Sequence, residues 1–522
     1  MKLKNSNLFI FSICAILGAV FFVYFIGVAV LDFTNTGWLM DTKEIAQHYL
    51  GWEFFRNSAW HFPLGLTDGI VYPYLESVVY SDCVPLFALI FKAASPVLPQ
   101  NFQYFGLYAL LCFMAQGGVA GLIIKRFSKN IWITMLCACF YISSTIMMWR
   151  LFIHFSLCAH FIILICIYLC LTRKTSFIQW SAVMAAAALI HIYFIPMVAV
   201  FIVFNVIDEF CENRKIIQPA LKLSVPAAVT LAVMYAIGCF YSNAPKIEGG
   251  LTYYNANLNT LINPREISSV LPKLPYVSIG QYEGIAYMGL GMLFCAAVCI
   301  ALFLIKRKFS FNRVFILTAG LIAVFLLLAL SNEITLGDKT IFTYPIPAKV
   351  EHYWSMFRAT GRMIWPVFYV IMTVVFVYLI KNMNKKIIIF VLIIALSVQF
   401  FDLYNFYSHH VSSQISEYKT PLSLQKWDEI SNNRSHIVFL GSAEDTCQIA
   451  KFALDNGMTV NDMYLARKNR ALIEENKQRE LELIKTGQAR EDTVYIFTQP
   501  PEKYYDGLDI FVLDGYIIGV TS

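Results

Sequence analysis

LFIFSICAILGAVFFVYFIGVAVL, residues 8–31, decides the class of this chain. The run carries no charge and exceeds the roughly 20 residues a helix needs to cross the hydrocarbon core of a bilayer. Lys2 and Lys4 precede it. It is too long for the core of a cleaved signal, and no small-residue cleavage site follows. It reads as a retained first crossing.

The rest of the chain repeats that pattern. Of 522 residues, 58% are hydrophobic and 14% are charged, against about 25% charged in average soluble domains. With 43 Phe and 29 Tyr, so much apolar surface calls for a lipid-facing exterior. The net charge of +6 points to no nucleic acid, because much of it lies in short loops between apolar runs, where it signals membrane orientation. The 13 cysteines form no CxxC pair and no metal-ligand spacing. Most of them, such as Cys137, Cys139, Cys166, Cys170, Cys295 and Cys299, lie in apolar runs as small hydrophobes.

Further apolar runs lie near residues 104–124, 131–149, 153–171, 176–191, 192–209, 220–241, 284–305, 313–331, 361–380 and 386–402. With the first they predict about eleven transmembrane helices. Every second loop is basic: Lys125, Arg126 and Lys129; Arg173 and Lys174; Arg214 and Lys215; Lys306, Arg307, Lys308 and Arg313; Lys381, Lys385 and Lys386. Those loops and the N-terminus are therefore expected in the cytoplasm. Residues 32–103, 242–283 and 332–360 then fall outside, with the tail from about 403. Val84 to Phe91 is apolar, but Lys92 and Pro96 cut it short, so it reads as a helix in the outer interface. The break at His191 leaves an alternative open. One kinked helix over 176–209 would put the tail inside.

From about residue 410 the tail turns polar and reads as a small α/β domain. His436 to Leu440 and Thr493 to Thr498 are expected strands. Ser442 caps an expected helix, with Asp445 three residues on, and Gly457 closes it. Residues 464–486 form a charged helix, and Asp514-Gly515 marks a hairpin. The lone Gly441 is no dinucleotide fingerprint, and the domain carries no catalytic motif. The fold class is thus a polytopic α-helical membrane protein. Residues 1–402 form its transmembrane domain, with interfacial helices in the outer loop 32–103, and residues 403–522 its extracytoplasmic α/β domain.

Residues 41–62 read DTKEIAQHYLGWEFFRNSAWHF. Asp41, Glu44 and His48, spaced i, i+3, i+7, share one face of a helix. Apolar Ile45, Tyr49, Leu50, Phe54 and Phe55 predict that this helix lies on the outer membrane surface. Two carboxylates and a histidine above a bilayer suit the removal of a proton from an acceptor hydroxyl beside a lipid-linked donor. The same spacing also serves an interfacial helix that merely keeps a wet face.

The layout resembles the GT-C superfamily of membrane glycosyltransferases, which use polyprenyl-phosphate sugars, and in particular a bacterial family of GT-C-like proteins. The stretches that carry the resemblance are QHYLGWEFFR (47–56), WHFPLG (60–65), YSDCVPLFALIFK (80–92), GQYEGIAYMGLG (280–291) and FRATGRMIWPVFY (357–369). It implies an acidic catalytic base in the first outer loop, here Asp41 or Glu44, with His48 on the same face. The close family's pattern places Asp four residues before this histidine, where the chain has Glu44, and that leaves the base open between the two. Asp82 is implied as a second acid or as a metal ligand, so a divalent metal stays open as cofactor with no ligand set assigned.

A polyprenyl phosphate leaving group needs cations at the outer interface. Arg150 with His154, and Arg358 with Arg362 as a two-arginine clamp, are the candidates, joined by His191 and Glu283. Arg150 can equally snorkel to headgroups, Arg358 and Arg362 can anchor a helix end, and Glu283 suits a helix start in any case. The resemblance implies a bacterial inner-membrane enzyme whose partners are a polyprenyl-phosphate-linked sugar donor, membrane lipid and a glycan or lipid acceptor. A transporter or flippase of lipid-linked glycans, or a non-catalytic partner, is the alternative. A transporter would place polar residues on broken helices near the midplane, whereas here they gather at helix ends.

Overall fold

The computed structural model describes residues 6–151, 153–172, 175–214, 216–241, 251–307, 311–408, 418–443, 445–465, 467–499 and 505–521. Lys2, Lys4, Arg173, Lys174, Lys215 and Lys308 of the basic segments lie outside them, as do residues 242–250 of the second outer segment.

Helix α1 (Asn7–Phe25) starts at Ser6, whose side chain accepts from the Phe9 amide. The first loop holds α2 (Lys43–Asn57), the hairpin β1 (Leu66–Val71) and β2 (Tyr74–Ser77), and α3 (Pro85–Ala94). The bundle continues with α4 (Phe105–Lys125), α5 (Ile131–Ile142), α6 (Thr145–Leu151), α7 (Phe161–Cys170), α8 (Phe177–Ile190), α9 (Phe194–Asn213) and α10 (Ile217–Ala236). Next come α11 (Leu290–Lys306), α12 (Arg313–Leu330), the hairpin β3 (Glu333–Leu336) and β4 (Lys339–Thr343), α13 (Ala348–Trp354), α14 (Ile364–Asn382) and α15 (Lys385–Ser408).

Each of the eleven apolar runs contains helix. Among the described residues, seven helices are long and apolar enough to cross a membrane, eight if α5 and α6, bent by 45°, are one span. The helices at Phe155–Cys170, Phe177–Ile190 and Leu290–Lys306 are apolar but shorter. The chain is a helical membrane protein. His191 ends α8, and α8 packs back on α9, so residues 176–209 form two helices.

Glycines let the first helices meet. A Cβ on Gly18 would fall 2.2 Å from the Phe113 carbonyl oxygen, and one on Gly117 2.2 Å from that of Cys14. Only residues without a side chain permit backbones this close, the usual route to association in lipid. The basic loop ends are tied to their neighbours. Lys125 Nζ donates to Asn7 Oδ1 at 2.7 Å, Arg126 Nη2 to the Leu171 carbonyl at 2.6 Å, and Arg313 Nε pairs with Asp208 at 2.7 Å.

The C-terminal domain contains α16 (Leu424–Ser431), β5 (His436–Phe439), α17 (Cys447–Asp455), β6 (Thr459–Val460), α18 (Arg470–Lys485), β7 (Thr493–Phe497), β8 (Leu508–Leu513) and β9 (Tyr516–Thr521). Its sheet order is β6-β5-β7-β9-β8, with β5 parallel to β6 and β7 and with β9 antiparallel to β7 and β8. Asp514 and Gly515 both have positive φ, 50° and 81°, as the tight hairpin turn requires. Two boundaries differ from the sequence reading. Helix α17 starts at Cys447 instead of beside Ser442, and α18 at Arg470 instead of 464, where the Asn469 side chain accepts from the Leu472 amide.

The domain docks on the first loop. Tyr72 stacks on His436 with ring centroids 3.9 Å apart, and its amide donates to Val460 at 2.9 Å. Lys43 pairs with Asp445 at 3.1 Å.

The structure corrects the reading of residues 41–62. Thr42 is the cap of α2, its hydroxyl accepting from the Ile45 amide, so Asp41 precedes the helix and shares no helical face with Glu44 and His48. Nor does α2 lie amphipathic on a surface, because every residue from Ile45 to Phe55 is buried. The loop's own hairpin, α3 and the C-terminal domain cover what a surface helix would leave wet.

Candidate functional site

Helix α2 aims His48 inward, and the ring is fully buried. Its Nδ1 lies 2.7 Å from the Asp82 carbonyl oxygen and donates to it. In the neutral ring the lone pair is then on Nε2, which is buried without a hydrogen-bond partner. Asp82 follows the 3-10 turn Val78–Ser81 with φ 56°, and Val84 has φ 58°. Left-handed backbone is rare for a β-branched residue and costs energy that such sites retain.

The Asp82 carboxylate faces His191 Nε2 at 3.3 Å. The Tyr193 amide donates to His191 Nδ1 at 3.1 Å, so the neutral ring carries its proton on Nε2 and gives it to Asp82. Burial opposes the Asp82 charge, yet the His191 ring that donates to it holds the carboxyl well below the usual carboxylate range. His154, one turn past Arg150, donates its amide to the Arg150 carbonyl at 2.9 Å. Its Nδ1 is also buried without a partner.

Packing fixes this arrangement from behind. A Cβ on Gly51 of α2 would sit 2.2 Å from the Ser81 Cβ. Gly51→Ala is therefore expected to cost about 1–3 kcal/mol and to shift the Asp82 turn. Thermal unfolding of the reconstituted chain checks it, and an unchanged midpoint would sink the close-packing account.

A second cluster adjoins the first. Glu283, in the 3-10 turn Ile279–Gly284, accepts both Nε and Nη2 of Arg362 at 2.8 Å, and Arg150 Nη2 at 2.8 Å. All three side chains are buried. Burial works against the Glu283 charge, but Arg150 and Arg362 hold its carboxyl well below the usual range. Arg150 Nε and Nη1 remain buried without hydrogen-bond partners, and the guanidinium lies 5.3 Å from the Trp365 ring centroid. Arg362 also lies over the Tyr193 ring, 4.4 Å from its centroid. The turns of Glu283 and Arg362 touch through glycines, since a Cβ on Gly361 would fall 2.8 Å from Gly284 Cα.

Seven of the ten residues expected at the site converge here: His48, Asp82, Arg150, His154, His191, Glu283 and Arg362. Three do not. Asp41 is exposed and makes no hydrogen bond or ion pair among the described residues. Glu44 accepts from the Tyr464 hydroxyl at 2.5 Å, which places it in the contact with the C-terminal domain. Arg358 lies over Tyr254, 5.2 Å from the ring centroid. Arg358 and Arg362 thus form no joint clamp, because Arg362 is taken up by Glu283. The sequence reading gave no role to Gly51, Tyr193 or Tyr464. Gly51 stands in the quoted QHYLGWEFFR stretch and Tyr193 two residues after the break at His191, while Tyr464 carried no signal.

Glu53, buried on α2, has its carboxyl pushed up to about 7 by burial, with Arg56 at 3.5 Å relieving part of the cost. The folded chain holds that proton more tightly than the unfolded chain, whose group ionises at the ordinary 4.5. Stability therefore falls as pH rises from about 4.5 through 7, and the full cost, on the order of 3 kcal/mol, stands above that window. Glu53→Gln is expected to exceed wild type in stability near pH 8 and to match it near pH 4. Equal stability at both values would refute the burial argument.

One ring nitrogen each of His48 and His154 and a carboxylate oxygen of Asp82 lie within 4.8 Å of one another. Among the described residues, this set could hold a metal. Fold and site together define a multi-helix membrane protein with a buried ionisable cluster at one end of its helices. The family model described as Domain of unknown function (DUF6311) matches residues 15–404, and that of the DUF6311 C-terminal domain matches residues 426–521. The chain belongs to this family. No curated protein matches it.

Proposed function

We propose that the chain is a GT-C-type glycosyltransferase that moves a sugar from a polyprenyl-phosphate donor to a cell-envelope hydroxyl on the outer face of a bacterial inner membrane. In this reading all eleven apolar runs cross, the basic loops face the cytoplasm, and the C-terminal domain lies outside. The observation that carries it is a half-buried carboxylate, Asp82, with no arginine or lysine paired to it among the described residues, in the cluster that adjoins Arg150, whose guanidinium has two buried nitrogens that lack acceptors. Phosphate oxygens satisfy such donors, and the cations near Glu283 stabilise the charge that grows on the leaving phosphate.

The acceptor hydroxyl is activated at the His48, Asp82 and His154 cluster. Direct attack on the donor sugar inverts its anomeric carbon. The activating role moves from Asp41 or Glu44 to Asp82, because Asp41 lies outside α2 and Glu44 is held by Tyr464.

The test is turnover of a panel of polyprenyl-phosphate sugars by the full chain in nanodiscs, with polyprenyl phosphate release as the readout. Release that Asp82→Asn abolishes supports the reading. Release that survives Asp82→Asn but not Asp41→Asn or Glu44→Gln returns the role to the start of α2. Movement of donor lipid across liposomes without its cleavage would make the chain a flippase.

A further inference from the structure

Two buried imidazole nitrogens in one cluster lack hydrogen bonds, Nε2 of His48 and Nδ1 of His154. Each unsatisfied group of this kind costs about 1–3 kcal/mol, and both stand beside a carboxylate. We propose that His48, Asp82 and His154 bind a divalent transition-metal cation. The inference rests on the reading of this cluster as the activating site and names what binds there.

The distances allow it. One ring nitrogen of each histidine and one Asp82 carboxylate oxygen lie within 4.8 Å of one another. Ligands about 2.0–2.2 Å from one tetrahedral ion stand about 3.3 Å apart, and small side-chain rotations close that difference. The tautomers are already set. His48 gives Nδ1–H to the Asp82 carbonyl, which leaves the Nε2 lone pair for a metal. Metal-binding histidines commonly donate their other nitrogen to a backbone carbonyl in this way.

His191 differs. The Tyr193 amide occupies its Nδ1, and its Nε2–H faces Asp82. It is a positioning residue that orients the carboxylate and leaves the second oxygen for the cation.

The ligand chemistry selects the ion. Two imidazoles and one carboxylate with further positions open is the composition of catalytic zinc sites. Imidazole ligands favour zinc, iron, cobalt or nickel over magnesium and calcium, which take oxygen. The cluster draws its residues from α2, from the turn before α3 and from the segment after α6, so no short motif announces it.

The test uses the full chain in nanodiscs with no donor present. The protein is stripped with chelator, loaded with Co2+ and desalted. About one Co2+ per chain is expected, with the visible absorption of a nitrogen–oxygen site that Zn2+ then displaces. His154→Gln and Asp82→Asn are each expected to lower retained metal at least tenfold, and Glu53→Gln to leave it unchanged. A folded wild type that retains none of Co2+, Zn2+ or Mn2+ overturns the site, as does full retention by the His48→Gln/His154→Gln double variant. These readouts involve no sugar, so metal binding and sugar transfer can fail separately.

Discussion

Asp82→Asn is expected to lower donor turnover by a factor of about 10² to 10⁴, the range that a positioned proton-accepting group contributes, while the chain stays folded. Asparagine keeps the shape of the side chain and an oxygen for His191 Nε2, now 3.3 Å from Asp82. What it removes is the charge. The hydrogen bond from His48 goes to the backbone carbonyl at 2.7 Å and survives the substitution. Thermal unfolding should therefore change little, and the loss should fall on kcat more than on KM. An Asp82→Asn chain that turns over donor at the wild-type rate would remove Asp82 from the reaction.

Glu283→Ala is expected to have the largest effect on stability. It leaves Arg150 and Arg362, both buried, without the carboxylate that pairs with both of them. Breaking one buried pair costs about 3–5 kcal/mol, and here one deletion strands two guanidinium groups. The turn at Ile279–Gly284 and the start of α14 should lose their mutual anchor, because Arg362 reaches Glu283 through two bonds of 2.8 Å. Glu283→Gln should fall between wild type and alanine, since one amide oxygen still accepts. A midpoint shift under about 2 °C for Glu283→Ala, below about 1 kcal/mol for a large chain, would show that the cluster does not hold these turns.

The helices were legible because their signal is local. A run such as residues 8–31 needs no partner to be read, and the hairpin at Asp514-Gly515 follows from the backbone those two residues accept. The start of α2 was not. Asp41, Glu44 and His48 fit one helical face by spacing, yet Thr42 and not Asp41 supplies the cap, and a shift of that size removes Asp41 from the helix. The pairing of charges was hidden for a different reason. Arg358 and Arg362 invite a clamp by sequence proximity, but the better partner for Arg362 is Glu283, brought close by the Gly284 and Gly361 contact. The residue types at the site could be chosen from rarity, since buried ionisable groups in apolar chains are costly. Their mutual geometry depends on turns far apart in sequence, and on a positive φ at Asp82 that no neighbour announces.

The Arg150–Glu283–Arg362 contact also imposes an order in time. Glu283 lies 133 residues after Arg150, and Arg362 a further 79. At roughly 5–20 residues per second, a ribosome delivers Arg150 on the order of ten seconds before its carboxylate exists. Throughout that interval the guanidinium must stay near headgroups or water, because an uncompensated charge is expensive in hydrocarbon. The buried ion cluster can therefore be completed only after Glu283 and Arg362 have been made.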